Sequence, residues 1–271
     1  MKDFISILIP VYNAETYLQT SIDSIINQSH KKWKIIAIND GSIDKSLAIL
    51  KQYKKKLGKK MVLLNNKENR GIAYSLNKTL LHVDTEYFCR QDADDISKFN
   101  RFEVLLKSLN KNPKFDFVSS RMKSITEKNL IFPLNSFKKF PLNEDFIKGL
   151  PFCNAPTIFK SSILKNKIKF NTSKRFKKRF EDYDFFFQCY NKGYLGFNIS
   201  EITYFVRQDL DYFRKIKFYD RISEVLLKFK IFKKFKLEYK LIFYIVFPLV
   251  KYFFPIFLLK FFLKGEFHKN I

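Results

Sequence analysis

The chain has 271 residues, 46% of them hydrophobic, which is enough for one substantial domain or for one domain with an appendage. Its 51 Lys and Arg residues exceed its 26 Asp and Glu residues, and the resulting net charge of +25 favours an anionic partner: nucleic acid, a membrane surface or a phosphorylated substrate. Three scattered cysteines and three scattered histidines argue against a disulfide framework, a histidine-ligated zinc site and a Ser-His-Asp or Cys-His centre, so the chemistry is expected to use carboxylates.

The first part of the chain alternates between apolar runs of strand length and segments with helical spacing. The runs predict strands at residues 4–9, 33–38, 61–64 and 87–88, and the spacing predicts helices at 16–27, 45–57 and 72–82. Strand followed by helix, three times over, predicts an α/β fold with a mostly parallel sheet flanked by helices.

Polar loops follow these strands. Asp40 and Gly41 end the second strand, and Cys89-Arg90-Gln91-Asp92-Ala93-Asp94-Asp95 follows the fourth. Three carboxylates within four residues repel one another, so such a cluster is either exposed to solvent or neutralised by a divalent cation. Open α/β sheets bind ligands at the carboxyl ends of their strands, where a hard cation can hold a diphosphate. The alternative is an acidic turn that caps a helix predicted from Ser97 to Leu109.

The second half is less regular. We predict strands at Phe115–Val118 and Asn154–Phe159 and a hairpin over Met122–Phe132. A basic stretch from Ser161 to Phe180 contains eight Lys or Arg residues and no acid. Glu181 and Asp182 then open a helix, where acids are also favoured by the helix dipole alone, so simple capping stays an alternative to a functional role.

The composition changes beyond residue 210, and we divide the chain into a catalytic domain (1–210) and a helical basic and apolar extension (211–271). From Asp211 to Ile271 there are fourteen Lys or Arg residues against five acids. Leu241–Leu263 is long enough to span a bilayer, but two prolines and two lysines interrupt it. We therefore expect helices in the membrane interface; helices that cover the catalytic domain or a partner subunit are the alternative.

Five motifs occur in a defined order: Ile9-Pro10-Val11-Tyr12-Asn13, Asn39-Asp40-Gly41-Ser42, Glu68-Asn69-Arg70-Gly71, Asp92-Ala93-Asp94-Asp95 and Glu181-Asp182. Together they resemble the family 2 glycosyltransferases, bacterial enzymes of the glycosyltransferase A fold. The resemblance covers residues 4 to about 209.

The resemblance implies roles for individual residues. Asp94 would ligate Mg²⁺ or Mn²⁺, and Asp182 would be the general base. Glu181 and Asp95 could support them, as could Asp209, which stands where many relatives have a histidine. The residues expected to bind the nucleotide are Pro10, Val11, Tyr12, Asp40, Arg70 and Asp92.

The expected activity is metal-dependent, inverting transfer of a hexosyl or N-acetylhexosaminyl group from a nucleotide sugar, with UDP as the expected nucleotide. The expected acceptor is a glycan or a lipid-linked precursor of a surface polysaccharide, lipopolysaccharide or capsule. The chain start lacks signal-peptide architecture, so we expect a cytoplasmic enzyme, peripheral at the inner face of the plasma membrane. A homo-oligomer through the C-terminal helices stays open. The alternatives are a basic nucleic-acid-binding protein, which the acidic loops do not favour, and an inactive scaffold on the same fold.

Overall fold

One mixed sheet organises the first part of the molecule. The computed structural model describes residues 3–125, 131–133, 138–173, 180–207 and 217–253. The strands within these ranges are β1 (Ile5–Val11), β2 (Trp33–Asp40), β3 (Met61–Asn66), β4 (Tyr87–Arg90), β5 (Ile96–Ser97), β6 (Phe117–Ile125), β7 (Ile131–Pro133), β8 (Thr157–Lys160) and β9 (Gly196–Arg207). They hydrogen-bond in the order β3-β2-β1-β4-β8-β6-β9-β5, and β7 pairs with β6.

Helices connect the strands as the apolar spacing predicts. In the described ranges they are α1 (Leu18–Ile26), α2 (Ser46–Leu57), α3 (Ile72–Leu80), α4 (Arg101–Asn110), α5 (Asp145–Lys148), α6 (Glu181–Asn191), α7 (Phe218–Phe235) and α8 (Ile242–Phe253). The apolar faces of α1 and α3 are buried, and α3 contacts β1 and β2. The predicted helices in the first part of the chain are thus present, with ends that differ by a few residues.

The first four strands pair in parallel, and the apolar sequence of β1 suits the centre of such a sheet. β1 pairs in parallel with both β2 and β4, and β2 pairs in parallel with β3. Ile5, Ile7 and Ile9 are fully buried, as expected of a strand covered on both faces. The α/β prediction is confirmed. Beyond β4 the sheet becomes mixed, because β8 runs antiparallel to both β4 and β6, whereas β6 and β9 are parallel.

The helix predicted from Ser97 begins later, at Arg101. Ile96 and Ser97 instead form β5, which pairs antiparallel with Phe205 and Tyr204 of β9. The partner strand lies far along the chain, so no local pattern around Ser97 could predict this pairing. The predicted hairpin is confirmed in the antiparallel pairing of β6 with β7, and its tip, residues 126–130, lies outside the described residues.

Phenylalanine side chains form the core between α6 and the second half of the sheet. The Phe117 ring on β6 lies 5.2 Å from the Phe159 ring on β8 and 5.3 Å from the Phe186 ring on α6. Such close aromatic pairs stabilise a core beyond the area they bury. This packing fixes α6 against the sheet and thereby positions the first turn of α6, where Glu181 and Asp182 stand.

Contacts divide the chain into two compact units: residues 1–140 with 152–209, and residues 141–151 with 210–271. The segment 141–151, which carries α5, thus joins the C-terminal helices, a feature that the sequence did not predict. In the second unit α5 contacts α7 and α8, and the Phe146 and Phe235 rings lie 6.3 Å apart. No helix in the described residues is both long enough and apolar enough to span a bilayer. Residues 254–263 of the predicted apolar segment lie outside the described ranges.

Candidate active site

The carboxyl ends of β1, β2 and β4 open into one cleft of about 610 Å³. Because these strands are parallel and adjacent, the loops that follow them meet at the same sheet edge. The cleft is lined by Pro10, Val11, Tyr12, Asn13, Ala14, Thr16, Tyr17, Asp40, Asn69, Gly71, Ile72, Arg90, Asp92, Ala93 and Asp94. The structure therefore brings together Pro10, Val11, Tyr12, Asp40, Asp92 and Asp94 from the predicted site.

The loop after β1 is held by the turn after β2. Asn13 donates its backbone N–H to Ser42 Oγ at 3.1 Å and accepts the Ile43 N–H on its Oδ1 at 3.0 Å. The Ala14 N–H is bound by Ser46 Oγ at 2.8 Å. Tyr12, by contrast, is 49% exposed at the cleft, so a flat aromatic face is available for stacking.

Asp40 fixes the loop that precedes α3. Its buried carboxylate accepts the N–H groups of Arg70 and Gly71, both at 2.9 Å, and the side-chain amide of Asn66 at 2.7 Å. Gly41 lies directly under this loop with φ +70°, and a Cβ atom there would come within 2.6 Å of the Asn69 nitrogen. A carboxylate offers about four acceptor positions, so Asp40 can accept one further donor from a ligand.

Arg70 differs from the other predicted nucleotide-binding residues, because its side chain is not part of the cleft lining. Its guanidinium pairs with Glu68 at 3.0 Å and lies 5.0 Å from the centre of the Tyr74 ring. A role for this side chain at the nucleotide stays a prediction, whereas its backbone N–H contributes to the loop held by Asp40.

The three carboxylates after β4 point to different partners. Asp92 Oδ1 accepts from Arg90 Nε at 2.5 Å, and Asp95 Oδ1 accepts the Arg207 N–H at 2.7 Å. Asp94 is exposed in the cleft, and its backbone oxygen accepts from Arg207 Nε at 3.2 Å. Of the three, Asp94 presents its carboxylate most openly.

Proximity and burial alter how these acids titrate. Burial, together with the charges of Asp92 and Asp94, raises the pKa of Asp95 to about 8. The pKa of Asp94 is also raised, by partial desolvation between the cleft walls and then by the Asp92 charge. A cation at Asp94 would relieve both effects, since it favours the ionised carboxylate.

The carboxylates of the acidic loop suit a divalent cation that also binds a substrate. Mg²⁺ commonly binds one or two protein carboxylates and completes its shell with substrate phosphates and water. Asp94 meets that requirement, because Asp92 is paired with Arg90 and Asp95 is held by Arg207 and Tyr204. In the described part of the chain no group of three or more His, Cys, Asp or Glu side chains is placed to coordinate a metal ion by itself. Asp209, the other proposed support, lies outside the described residues.

Asp182 reaches the same region through Arg90. The Arg90 Nη1 atom lies 3.2 Å from Asp182 Oδ1 and 3.9 Å from Glu181 Oε1, and Asn154 Nδ2 donates to the same Asp182 oxygen at 2.8 Å. Asp182 is not part of the cleft lining, although Arg90 is. Burial raises the pKa of Asp182, an effect that Arg90 and Asn154 oppose; burial and then the Asp182 charge raise that of Glu181 to about 7.

A buried arginine, Arg101, holds the acidic loop by hydrogen bonds. Arg101 donates to Gln91 Oε1 at 3.0 Å, to Ser97 Oγ at 2.8 Å and to the carbonyl oxygens of Arg90 and Ala155. Its guanidinium lies 4.8 Å from the centre of the Tyr204 ring. Sequence reasoning assigned no role to Arg90, Arg101, Asn154 or Tyr204, since each contributes through a contact far along the chain.

Comparison with known proteins identifies the class as a glycosyltransferase of the glycosyltransferase A fold. The sequence profile described as glycosyl transferase family 2 matches residues 6–173, and the chain belongs to that family. The chain is 32% identical over 254 residues to the putative glycosyltransferase EpsE of Bacillus subtilis, covering 93% of this chain and 90% of that protein. It is 33% identical over 220 residues to a poly(ribitol-phosphate) beta-glucosyltransferase of Bacillus spizizenii, covering 79% of this chain and 32% of that protein.

Two solved structures share the fold. TarS of S. aureus (residues 1–349), crystallised with UDP, aligns with a TM-score of 0.69 at 21% identity over 98% of this chain and 76% of that chain. The mannosyltransferase PcManGT of Pyrobaculum calidifontis, in complex with GDP-Man and Mn²⁺, aligns with a TM-score of 0.62 at 16% identity over 90% of this chain and 69% of that chain. The family assignment confirms the transferase prediction over the nucleic-acid-binding alternative.

Proposed function

We propose that the enzyme transfers a sugar, with inversion, from a nucleotide sugar to a surface glycan or its lipid-linked precursor, and that it requires Mg²⁺ or Mn²⁺. The observation that carries this proposal is the contact of Arg90 with both Asp92 and Asp182. It joins Asp92, which is assigned to the donor, to Asp182, which is assigned to the acceptor, at the carboxyl end of β4. An inverting transferase needs these two functions on opposite sides of the same sugar.

UDP is the nucleotide that we propose for the donor. Tyr12 would stack on the base, Asp40 would accept a base N–H, and Asp92 would bind the ribose. TarS, with the same fold, has been crystallised with UDP and with UDP-GlcNAc, which supports this choice. The transferred group would then be a hexosyl or N-acetylhexosaminyl group.

Asp94 would hold the divalent cation, and the solved structure of PcManGT in complex with GDP-Man and Mn²⁺ supports a cation in this fold. When bound, such a cation supplies Lewis-acid stabilisation of the departing nucleoside diphosphate. The Arg207 guanidinium, 3.9 Å from the centre of the Tyr17 ring at the cleft, adds a positive charge close to Asp94. Both features favour binding of a diphosphate beside Tyr17.

Asp182 would accept the proton of the attacking hydroxyl as the bond to the sugar forms. The nucleoside diphosphate leaves from the donor side while the hydroxyl attacks from the other side, so the configuration at the anomeric carbon inverts. Asn154 and Arg90 hold one Asp182 oxygen by hydrogen bonds. Holding that oxygen in place orients the carboxylate for proton transfer.

The acceptor proposal draws on the relatives. Poly(ribitol-phosphate), named for the Bacillus spizizenii enzyme, is an anionic polymer, and the net charge of +25 on this chain suits an anionic acceptor. Capsular polysaccharide and lipopolysaccharide precursors share that chemistry when they carry phosphate. The acceptor is therefore expected to be an anionic, growing surface glycan.

The test is turnover of a panel of UDP-, GDP- and dTDP-sugars by the purified enzyme with Mn²⁺, with nucleotide release as the measurement. Release from a UDP-sugar that requires the cation supports the proposal. The anomeric configuration of the product, measured by proton NMR, then tests inversion. Absence of both binding and hydrolysis for every donor would refute the proposal.

We further propose that the helical second unit binds the inner face of the plasma membrane. Both long helices of this unit carry exposed apolar side chains, and α7 also carries exposed lysines: Tyr219, Leu226, Phe229, Lys230 and Lys233 on α7, and Ile242, Phe243 and Val246 on α8. Amphipathic helices of this composition bind anionic interfaces through apolar burial and charge together.

Co-sedimentation with phosphatidylglycerol and phosphatidylcholine vesicles tests the membrane proposal. Binding should be stronger to phosphatidylglycerol, and Phe229→Ser should weaken it several-fold. Phe99→Ser, which removes an exposed phenylalanine from the first unit, is the matched control. Equal sedimentation of Phe229→Ser and the wild type would contradict the proposal. So would light scattering that shows a wild-type dimer and a Phe229→Ser monomer, because the surface would then pair two copies of the chain.

A further inference from the structure

Arg90 occupies the point where two groups of carboxylates meet. Its Nε atom donates to Asp92, and its Nη1 atom lies 3.2 Å from Asp182 and 3.9 Å from Glu181. The side chain is 10% exposed, and it is the last residue of β4, so the sheet fixes its backbone. One guanidinium thus uses different nitrogen atoms for acids that lie 90 residues apart in the chain.

The contact between Arg90 and Asp182 also sets the electrostatic environment of the Asp182 carboxylate. Among the residues that the structure describes, those that face Asp182 are Arg90 of β4, Asp92 of the acidic loop, Glu181 of α6 and the neutral Asn154 before β8. Three of these side chains, with Asp182 itself, give one positive and three negative charges when all are ionised. Loss of the guanidinium would leave buried carboxylates that repel one another, an arrangement that favours their protonation.

We propose that Arg90 is a positioning residue that holds Asp182 ionised and oriented for proton transfer and that couples it to the donor-binding Asp92. The proposal rests on the proposed role of Asp182 as the base. Arg90 does not need to touch the sugar or the nucleotide for this role.

The coupling follows from shared binding. A donor bound to Asp92 weakens the attraction between that carboxylate and Arg90. The guanidinium then interacts more strongly with Asp182 and Glu181. Donor binding would thereby favour the ionised base. An enzyme built in this way has its base ready when the donor is in place.

The shape of the side chain matters as well as its charge. The planar guanidinium reaches Asp92 and Asp182 with two nitrogen atoms at once, whereas a lysine ammonium is a compact charge on a flexible stem. Arg90→Lys should therefore keep much of the charge effect and lose the orientation. Arg90→Gln should lose both.

Stability at two pH values tests the charge effect without any substrate. Urea unfolding compares Arg90→Gln with the wild type at pH 5 and at pH 8. Because Asp182 and Glu181 of the folded variant would hold their protons more tightly, the ratio of its unfolding constant to that of the wild type should be about tenfold larger at pH 8 than at pH 5, the effect of one pKa unit. Arg121→Gln, on β6 and outside the cleft lining, is the matched control and should show no such difference.

The pH dependence of kcat tests the catalytic consequence, with UDP-N-acetylglucosamine hydrolysis as the assay. Arg90→Gln should move the acidic limb of the profile upward by about one pH unit, with a KM for donor that changes much less than kcat. Arg90→Lys should leave the limb near its wild-type position and lower kcat several-fold. A uniform loss of kcat at every pH, together with equal stability losses at pH 5 and pH 8, would overturn the proposal.

The two proposals fail in different ways. If the wild type does not bind or hydrolyse any nucleotide sugar of the panel, the transferase mechanism fails, and the unfolding experiment still decides whether Arg90 favours the ionised forms of Asp182 and Glu181. If the wild type turns over but neither pH experiment distinguishes Arg90→Gln from Arg121→Gln, the role of Arg90 fails and the mechanism stands.

Discussion

The buried Tyr204 hydroxyl accepts the backbone N–H of Asp92 at 3.0 Å, although 112 residues separate the two. The same tyrosine interacts with the Asp95 carboxylate. β9 therefore fixes the acidic loop that follows β4, so the loop proposed to bind the donor depends on a strand from the other end of the first unit.

Tyr204→Phe tests this dependence. The change leaves the Asp92 N–H and the Asp95 carboxylate without the hydroxyl, so we expect a loss of about 1–3 kcal/mol in the free energy of unfolding. UDP affinity with Mn²⁺, measured by calorimetry, should also fall. Tyr53→Phe removes a hydroxyl bonded to Asp23 at 2.8 Å outside the cleft and should leave UDP affinity unchanged. Equal UDP affinities for Tyr204→Phe and the wild type would contradict the role of this contact.

Gly41→Ala should disrupt the loop held by Asp40. The added Cβ atom meets the backbone of Glu68 and Asn69, and the residue has a positive φ, so we expect a loss of roughly 3 kcal/mol or more, measured by urea unfolding. Gly58→Ala separates the two causes, because Gly58 also has a positive φ but has open space around it. That control should lose about 1–2 kcal/mol. Similar losses for the two variants would show that the loop yields to the added methyl group.

Glu181 makes stability depend on pH. Its pKa is raised to about 7 in the folded protein by burial and then by the Asp182 charge, against about 4.5 in the unfolded chain. The folded state therefore binds the proton more tightly, and stability falls as the pH rises from about 4.5 to 7. Glu181→Gln should remove that part of the decline and gain roughly 2 kcal/mol relative to the wild type between pH 5 and pH 8.

Urea unfolding across this pH range provides the measurement for Glu181→Gln. Glu103→Gln, an exposed glutamate on α4, serves as the control and should follow the wild-type curve. A Glu181→Gln curve parallel to that of the wild type would mean that Glu181 does not retain its proton on folding.

Local patterns predicted the first half of the fold and the acidic loops well. The run from Ile5 to Ile9 is a buried strand because its side chains, Ser6 apart, are apolar on both faces. Asp40, Asp92 and Asp94 meet because parallel strands end at one edge. Both facts follow from the sequence and from sheet geometry alone.

Long-range pairing explains what the sequence could not predict. Ser97 belongs to a strand because β9 is beside it, and Arg101 can be buried because Gln91, Ser97 and two carbonyl groups accept hydrogen bonds from its guanidinium. An arginine at the start of an amphipathic helix ordinarily faces water. The contact of Arg90 with Asp182 likewise requires α6 to be in place on the sheet.

The central claim is that Asp94 serves the cation and donor while Asp182 serves the acceptor, within one site. Calorimetry of UDP binding with and without Mn²⁺ tests it most directly, in Asp94→Asn and Asp182→Asn. Asp94→Asn should lose the increase in UDP affinity that Mn²⁺ provides, and Asp182→Asn should keep that increase while turnover falls by about 10²- to 10⁴-fold. Loss of UDP binding in Asp182→Asn, or an undiminished Mn²⁺ effect in Asp94→Asn, would contradict the account.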